Sequence, residues 1–141
     1  MSIEENKALV RRYMDDLNKR NLAVIDELYD VNYVGHVAGM EDLHGPEEMK
    51  QMMTGFLIAF PDLHRAIEDM VAEGDKVVVR LTVTGTHKGD FQGIAPTGKQ
   101  ATVTVIAILR IVGGKIVETW ELIDMLGVMQ QIGAIPTPGQ G

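Results

Sequence analysis

The residues that could do chemistry concentrate near the C-terminal end of the chain. The run Ile116-Val117-Glu118-Thr119-Trp120-Glu121-Leu122-Ile123-Asp124 sets three carboxylates among apolar and aromatic residues. Strand spacing puts Glu118, Trp120, Leu122 and Asp124 on one face and Thr119, Glu121 and Ile123 on the other. Each face thus holds a carboxylate beside apolar or aromatic neighbours. A carboxyl group in an apolar wall has its pKa raised by desolvation, which makes it a usable proton acceptor or donor near neutral pH. Glu121 and Asp124 are the candidate bases, and Trp120 could pack on a substrate. Asp124 could equally cap a helix beginning beside it.

Polar groups elsewhere could assist by polarising an oxygen: His36 in an extended apolar segment, Tyr13 on a helix, and Arg80 within a strand of Val, Leu and Thr. His36 could also be a hydrogen-bonded histidine at the edge of the core. Arg80 could face a pocket or lie on the outer face with Thr82 and Thr84. Met53, Phe56 and Phe60 belong to a methionine and aromatic stripe that suits a core or the lining of an apolar pocket.

Other patterns exclude chemistry. Gly93-Ile94-Ala95-Pro96-Thr97-Gly98-Lys99 has the spacing of a phosphate-binding loop, but Gln100 stands where Ser or Thr would reach magnesium, and a strand follows instead of a helix. His36, His44, His64 and His87 form no pair with metal-ligand spacing. With no cysteine there is no disulfide framework, thiol nucleophile or cysteine-held metal.

These residues need elements to hold them. Val10, Tyr13, Met14 and Leu17 share a helical face. Asn21 can start a short second helix carrying Ile25, Leu28 and Tyr29. Residues 32–37 read as extended, and a loop with Gly39, Asp42 and Gly45 follows. Pro46 opens a third helix that Pro61 stops. The period then changes to that of strands: 63–72 (where a helix is also possible), 77–84, 102–112 and 115–124. Only Gly113-Gly114 separates the last two, which indicates a tight antiparallel hairpin. A final short helix spans 125–132, and residues 133–141 form a fraying tail after a single domain, 1–132. Helices followed by antiparallel strands indicate an α+β fold with helices on one face of a curved sheet.

Composition agrees with one domain. The 141 residues are 45% hydrophobic and 23% charged, with a net charge of −7. Such a chain is a poor partner for nucleic acid or anionic membranes. It has no apolar stretch long enough to span a bilayer, and its acidic start is unlike a secretory signal. A cytoplasmic, soluble protein is expected.

The ordered set Gly85-Thr86-His87-Lys88-Gly89-Asp90-Phe91-Gln92-Gly93, Pro96-Thr97-Gly98-Lys99, Arg110-Ile111-Val112-Gly113-Gly114-Lys115-Ile116, Glu118, Trp120, Asp124, Gly127 and Gln130-Gln131-Ile132-Gly133 resembles the SnoaL-like polyketide cyclases of the nuclear-transport-factor-2-like superfamily. Asn6 to Asn18 and Leu43 to Pro61 are also in register. The resemblance implies a cone-shaped α+β barrel, its curved antiparallel sheet wrapped around the N-terminal helices and a deep apolar cavity. It further implies a homodimer packed through the sheet, and an intramolecular aldol condensation on a hydrophobic small molecule, an aromatic polyketide methyl ester, without metal or cofactor. The cyclases' acid/base aspartate falls at Glu121, and their assisting histidine at Ala107. The same superfamily holds isomerases, hydrolases, hydroxylases and binding proteins. A non-catalytic carrier of a lipophilic compound, or a scaffold whose cavity is filled by its own side chains, is therefore the competing expectation.

Overall fold

The computed structural model describes residues 2–136. Helix α1 (Ile3–Asn18) starts at a capping box: Glu5 N–H donates to the Ser2 hydroxyl, and Ser2 N–H donates to the Glu5 carboxylate. Its buried face carries the expected Val10, Tyr13, Met14 and Leu17. Arg20, with φ 67°, turns the chain out of the helix. Helix α2 (Ala23–Leu28) follows, but Asn21 does not cap it with its side chain. The Asn21 carbonyl accepts from Val24 N–H instead.

Strand β1 (Tyr29–Val37) then runs to a two-residue strand, β2 (Leu43–His44), within the segment read as a loop. Helix α3 (Gly45–Ala59) has Pro46 in its first turn. Four long strands complete the sheet: β3 (His64–Glu73), β4 (Lys76–Thr86), β5 (Gln100–Val112) and β6 (Lys115–Ile123). Helix α4 (Met125–Gln131) closes the fold. Gly113 and Gly114 both take positive φ, the conformation a two-residue β5–β6 turn requires. The C-terminal end of the predicted tail, residues 137–141, lies outside the described residues.

The sheet order is β2-β1-β6-β5-β4-β3. All neighbours are antiparallel except β1 and β6, which run parallel. The sheet curves around the helices without closing, so the expected barrel is open between β2 and β3. Its inner face is apolar along β4 (Val77, Val79, Leu81) and β5 (Val105, Ala107, Leu109), and these pack against α1 and α2 in one core. A second cluster joins the end of α3 (Ala59, Phe60), the β5 start (Ala101, Val103) and α4 (Val128). Among the described residues no helix is long and apolar enough to cross a membrane.

One irregularity orients the site. In β6, Ile116 pairs with Ile111, but Glu118 pairs with Arg110, so Val117 is an extra residue. This bulge shifts the alternation by one. Ile116 points into the core, and after the bulge Thr119, Glu121 and Ile123 occupy the inner face.

Candidate functional site

Between α1, α3, α4 and the inner face of the sheet lies a cavity of ≈ 80 Å³. Its wall is almost wholly apolar: Met14 and Leu17 from α1, Met53 and Phe56 from α3, and Leu81 and Val105 from the sheet. Three polar side chains that bear on its chemistry interrupt that wall: Tyr13, Arg65 and Glu121.

Glu121 reaches the cavity because of the β6 bulge. It sits between Ala107 on β5 and Val37 on β1. Part of its surface is accessible, and this surface belongs to the cavity it lines. Desolvation raises its pKa, and the positive charge of Arg65 offsets only part of that rise. No hydrogen bond from a described residue stabilises its charged form.

Tyr13 stands at the head of a tyrosine group. Tyr29 donates a hydrogen bond to the Tyr13 hydroxyl at 2.8 Å, and the Tyr29 ring meets Tyr33 edge-on. The Tyr33 hydroxyl pairs with Thr119 Oγ1 at 2.5 Å. Burial pushes all three phenols well above their ordinary pKa, with the nearby Glu121 carboxylate contributing. They therefore remain protonated donors. Because Tyr13 accepts from Tyr29, its own proton is left for a group in the cavity. Gly35 makes this packing possible, since a Cβ there would overlap the Tyr33 hydroxyl.

Arg65 was not singled out from the sequence. It alternates with Leu63, just before β3, and with Ile67 on β3, a polar residue on an apolar face. That signal was lost because residues 63–72 also admitted a helix. Asn18 fixes it by two hydrogen bonds of 2.9 Å to the Arg65 backbone.

The remaining candidates lie elsewhere. Met53, Phe56 and Phe60 line the cavity with Tyr13 and Glu121. Asp124 is not on the cavity wall; its Oδ1 accepts from Gly127 N–H at 2.9 Å and caps α4. Arg80 lies on the outer face, exposed and paired with Asp69 at 2.6 Å. Trp120 is also on the outer face, stacked on His36 with ring centroids 5.7 Å apart. His36 is held there by Glu118 at 2.7 Å and Asp42 at 3.0 Å, and these hydrogen bonds raise its pKa. Parity explains both placements: a residue in register with Ile108, as Trp120 is, shares the outward side of its neighbours. Among the described residues there is no cluster of three or more His, Asp or Glu suited to a metal ion.

The chain has relatives of known name. A family model for the SnoaL-like polyketide cyclases matches residues 7–132. The aklanonic acid methyl ester cyclase DnrD of Streptomyces peucetius is 30% identical over 134 residues, 92% of this chain and 92% of its own. The nogalonic acid methyl ester cyclase of Streptomyces nogalater is 27% identical over 111 residues, 77% of this chain and 83% of its own. Among solved structures, AclR from Streptomyces galilaeus, for which hydroxylase activity has been proposed, superposes with a TM-score of 0.88. It is 34% identical and covers 96% of this chain and 85% of its own. A fold of this kind, an inward carboxylate and a family match over most of the chain converge: the protein belongs to the SnoaL-like polyketide cyclase family.

Proposed function

We propose that the protein is a cofactor-free acid/base enzyme acting on a hydrophobic carbonyl compound, by aldol cyclisation of the polyketide type or a related isomerisation or hydrolysis. The observation that carries this reading is the Glu121 carboxyl group, facing an apolar cavity with its pKa raised by desolvation. Glu121 takes the proton alpha to the substrate carbonyl. The developing enolate oxygen receives a hydrogen bond from Tyr13, whose proton has no partner among the described residues. In a cyclisation the enolate carbon attacks a second carbonyl of the same molecule, and Glu121 returns its proton to the new alkoxide.

The family match and the named cyclases support a reaction of this class. Ala107, beside Glu121, supplies no hydrogen-bonding group, so Tyr13 and Glu121 carry the proton chemistry here. The cavity volume of ≈ 80 Å³ favours the competing scaffold reading, since sites for drug-sized ligands span about 300–1,000 Å³. Against it, a cavity filled only for packing has no use for a buried acid and a guanidinium, whose desolvation is costly. Methionines adapt readily, and movement of Met52, Met53 and Phe56 would enlarge the space.

The test is turnover, followed by mass spectrometry, on a panel of aromatic polyketide esters, ketosteroids and lipophilic epoxides. Loss of turnover in Glu121→Gln by at least about a hundredfold, with activity kept in Asp124→Asn, supports the reading. Full activity in Glu121→Gln overturns it. A compound retained by both variants and never converted identifies a lipophilic carrier.

We further propose that the protein acts as a homodimer packed through the outer face of the sheet. That face carries exposed Leu122 and Ile106, with Val78, Ile108 and Trp120 in the next row. Such an apolar patch on a monomer marks an interaction surface.

A further inference from the structure

Among the described residues, Arg65 is the single cation on the cavity wall and Glu121 the single anion. The two are near enough to influence one another's ionisation. Nevertheless, no carboxylate of the described residues lies within 4.0 Å of Arg65. By contrast, Arg12, Arg80 and Arg110 each have a carboxylate partner. The Arg65 side chain makes one hydrogen bond, from Nη2 to the Met53 sulfur at 3.1 Å. Sulfur is a weak acceptor, and a guanidinium has five donors in a planar fork. Burial lowers the Arg65 pKa, more than Tyr13 and Glu121 raise it, but an arginine keeps its charge at neutral pH.

A half-buried guanidinium with no carboxylate in direct contact is under-compensated. An arriving anion supplies that compensation, and a carboxylate matches the guanidinium fork with two parallel hydrogen bonds. The rest of the wall is apolar, so the body of such a guest must be apolar too. We infer that Arg65 reads a carboxylate on the substrate: the cavity takes a hydrophobic carboxylic acid, its acid group on Arg65 and its carbon skeleton on Met53, Phe56 and Leu81. This rests on the reading of the cavity as an active site built around Glu121, and it names the substrate class for that site. It also distinguishes this chain's substrate from the methyl esters in the names of its relatives.

Sodium 1-naphthylacetate and its methyl ester are suitable probes, since they share a small aromatic body and differ in charge. Their binding to the full chain is measured by calorimetry at pH 7.5 in 0.1 M salt. The wild type is expected to bind the acid about tenfold more tightly than the ester, as a charge-assisted pair implies. Arg65→Met should lose acid affinity by about tenfold and keep ester affinity within about threefold, since a thioether preserves the apolar wall. Arg65→Lys should fall between, retaining the charge without the fork. Glu121→Gln should bind the acid more tightly than the wild type, because a like charge is removed.

Equal affinity for the two probes in the wild type overturns the inference, as does an acid preference that survives in Arg65→Met. Should Arg65→Met fail to give a cooperative thermal transition, the wild-type comparison and Arg65→Lys decide. Ester binding without acid preference, together with Glu121-dependent turnover of the carbonyl panel, leaves the acid/base reading standing and removes this one. If neither probe binds and no carbonyl compound is turned over, both readings fall together.

Discussion

Glu121 couples chemistry to stability. Its folded pKa lies above the ordinary value of 4.5, because burial disfavours the charged form. The folded state therefore holds the proton more tightly than the unfolded chain. The stability this adds is complete below the unfolded pKa and is lost as pH rises through the folded one. Glu121→Gln should accordingly unfold at a higher temperature than the wild type at pH 7.5, with the gain shrinking toward pH 4, as read by scanning calorimetry. His36 has the same sign, its pKa being raised by the hydrogen bonds it donates to Glu118 and Asp42. The stabilisation by its charged form is present below about pH 6.5 and lost as pH rises through its folded pKa. Urea unfolding of His36→Gln should thus differ more from the wild type at pH 5.5 than at pH 9. Tyr33 shows what a buried pair requires. Tyr33→Phe leaves the Thr119 hydroxyl, 1% exposed, without its partner, and should cost about 1–3 kcal/mol. Adding Thr119→Val to that variant should recover most of the loss.

Single residues set the geometry of whole elements. The extra residue Val117 bends β6 and turns Glu121 inward. If Val117 paired with Arg110 instead of bulging out, Glu118 and Trp120 would stand where Thr119 and Glu121 now lie. Gly35 on β1 leaves space for the Tyr33 hydroxyl. Gly35→Ala should displace Tyr33 and destabilise the protein by about 1–3 kcal/mol, the usual cost of overpacking, as checked by chemical denaturation. Helix α4 is short, and besides the packing of Val128 two polar contacts fix it: the Asp124 cap and the paired hydrogen bonds between Gln131 and the Thr102 backbone. Asp124→Ala should cost about 0.5–2 kcal/mol and loosen the wall at Val128, while Asp124→Asn keeps the cap. The alternation of Val77, Val79 and Leu81 made β4 legible, and the paired glycines made the β5–β6 hairpin legible. Strand β2 was not legible, because two residues have no period; only pairing with Val34 and Gly35 makes it a strand.

For the whole molecule the open sheet is the central fact. Its inner face holds the cavity, and its outer face is left with an apolar band around Trp120, Ile106 and Leu122. If two copies join there, Leu122→Lys should shift sedimentation from dimer to monomer while leaving the far-ultraviolet circular dichroism unchanged. Loss of the dimer by about tenfold or more in association is expected, since a buried unpaired lysine is strongly unfavourable. A wild type that sediments as a monomer removes the dimer proposal without touching the cavity.

The amino-acid sequence determined the α+β class, the order of the long elements and the presence of a carboxylate on each face of the last strand, because these follow from local periodicity and turn chemistry. It also carried the family resemblance over nearly the whole chain. It did not determine which carboxylate looks inward, since a bulge moves every later side chain to the opposite face and appears only once β5 and β6 are paired. Nor did it bring Arg65, Tyr13 and Glu121 to one cavity: they come from β3, α1 and β6, far apart in the chain, and meet only because the curved sheet wraps around the first helix.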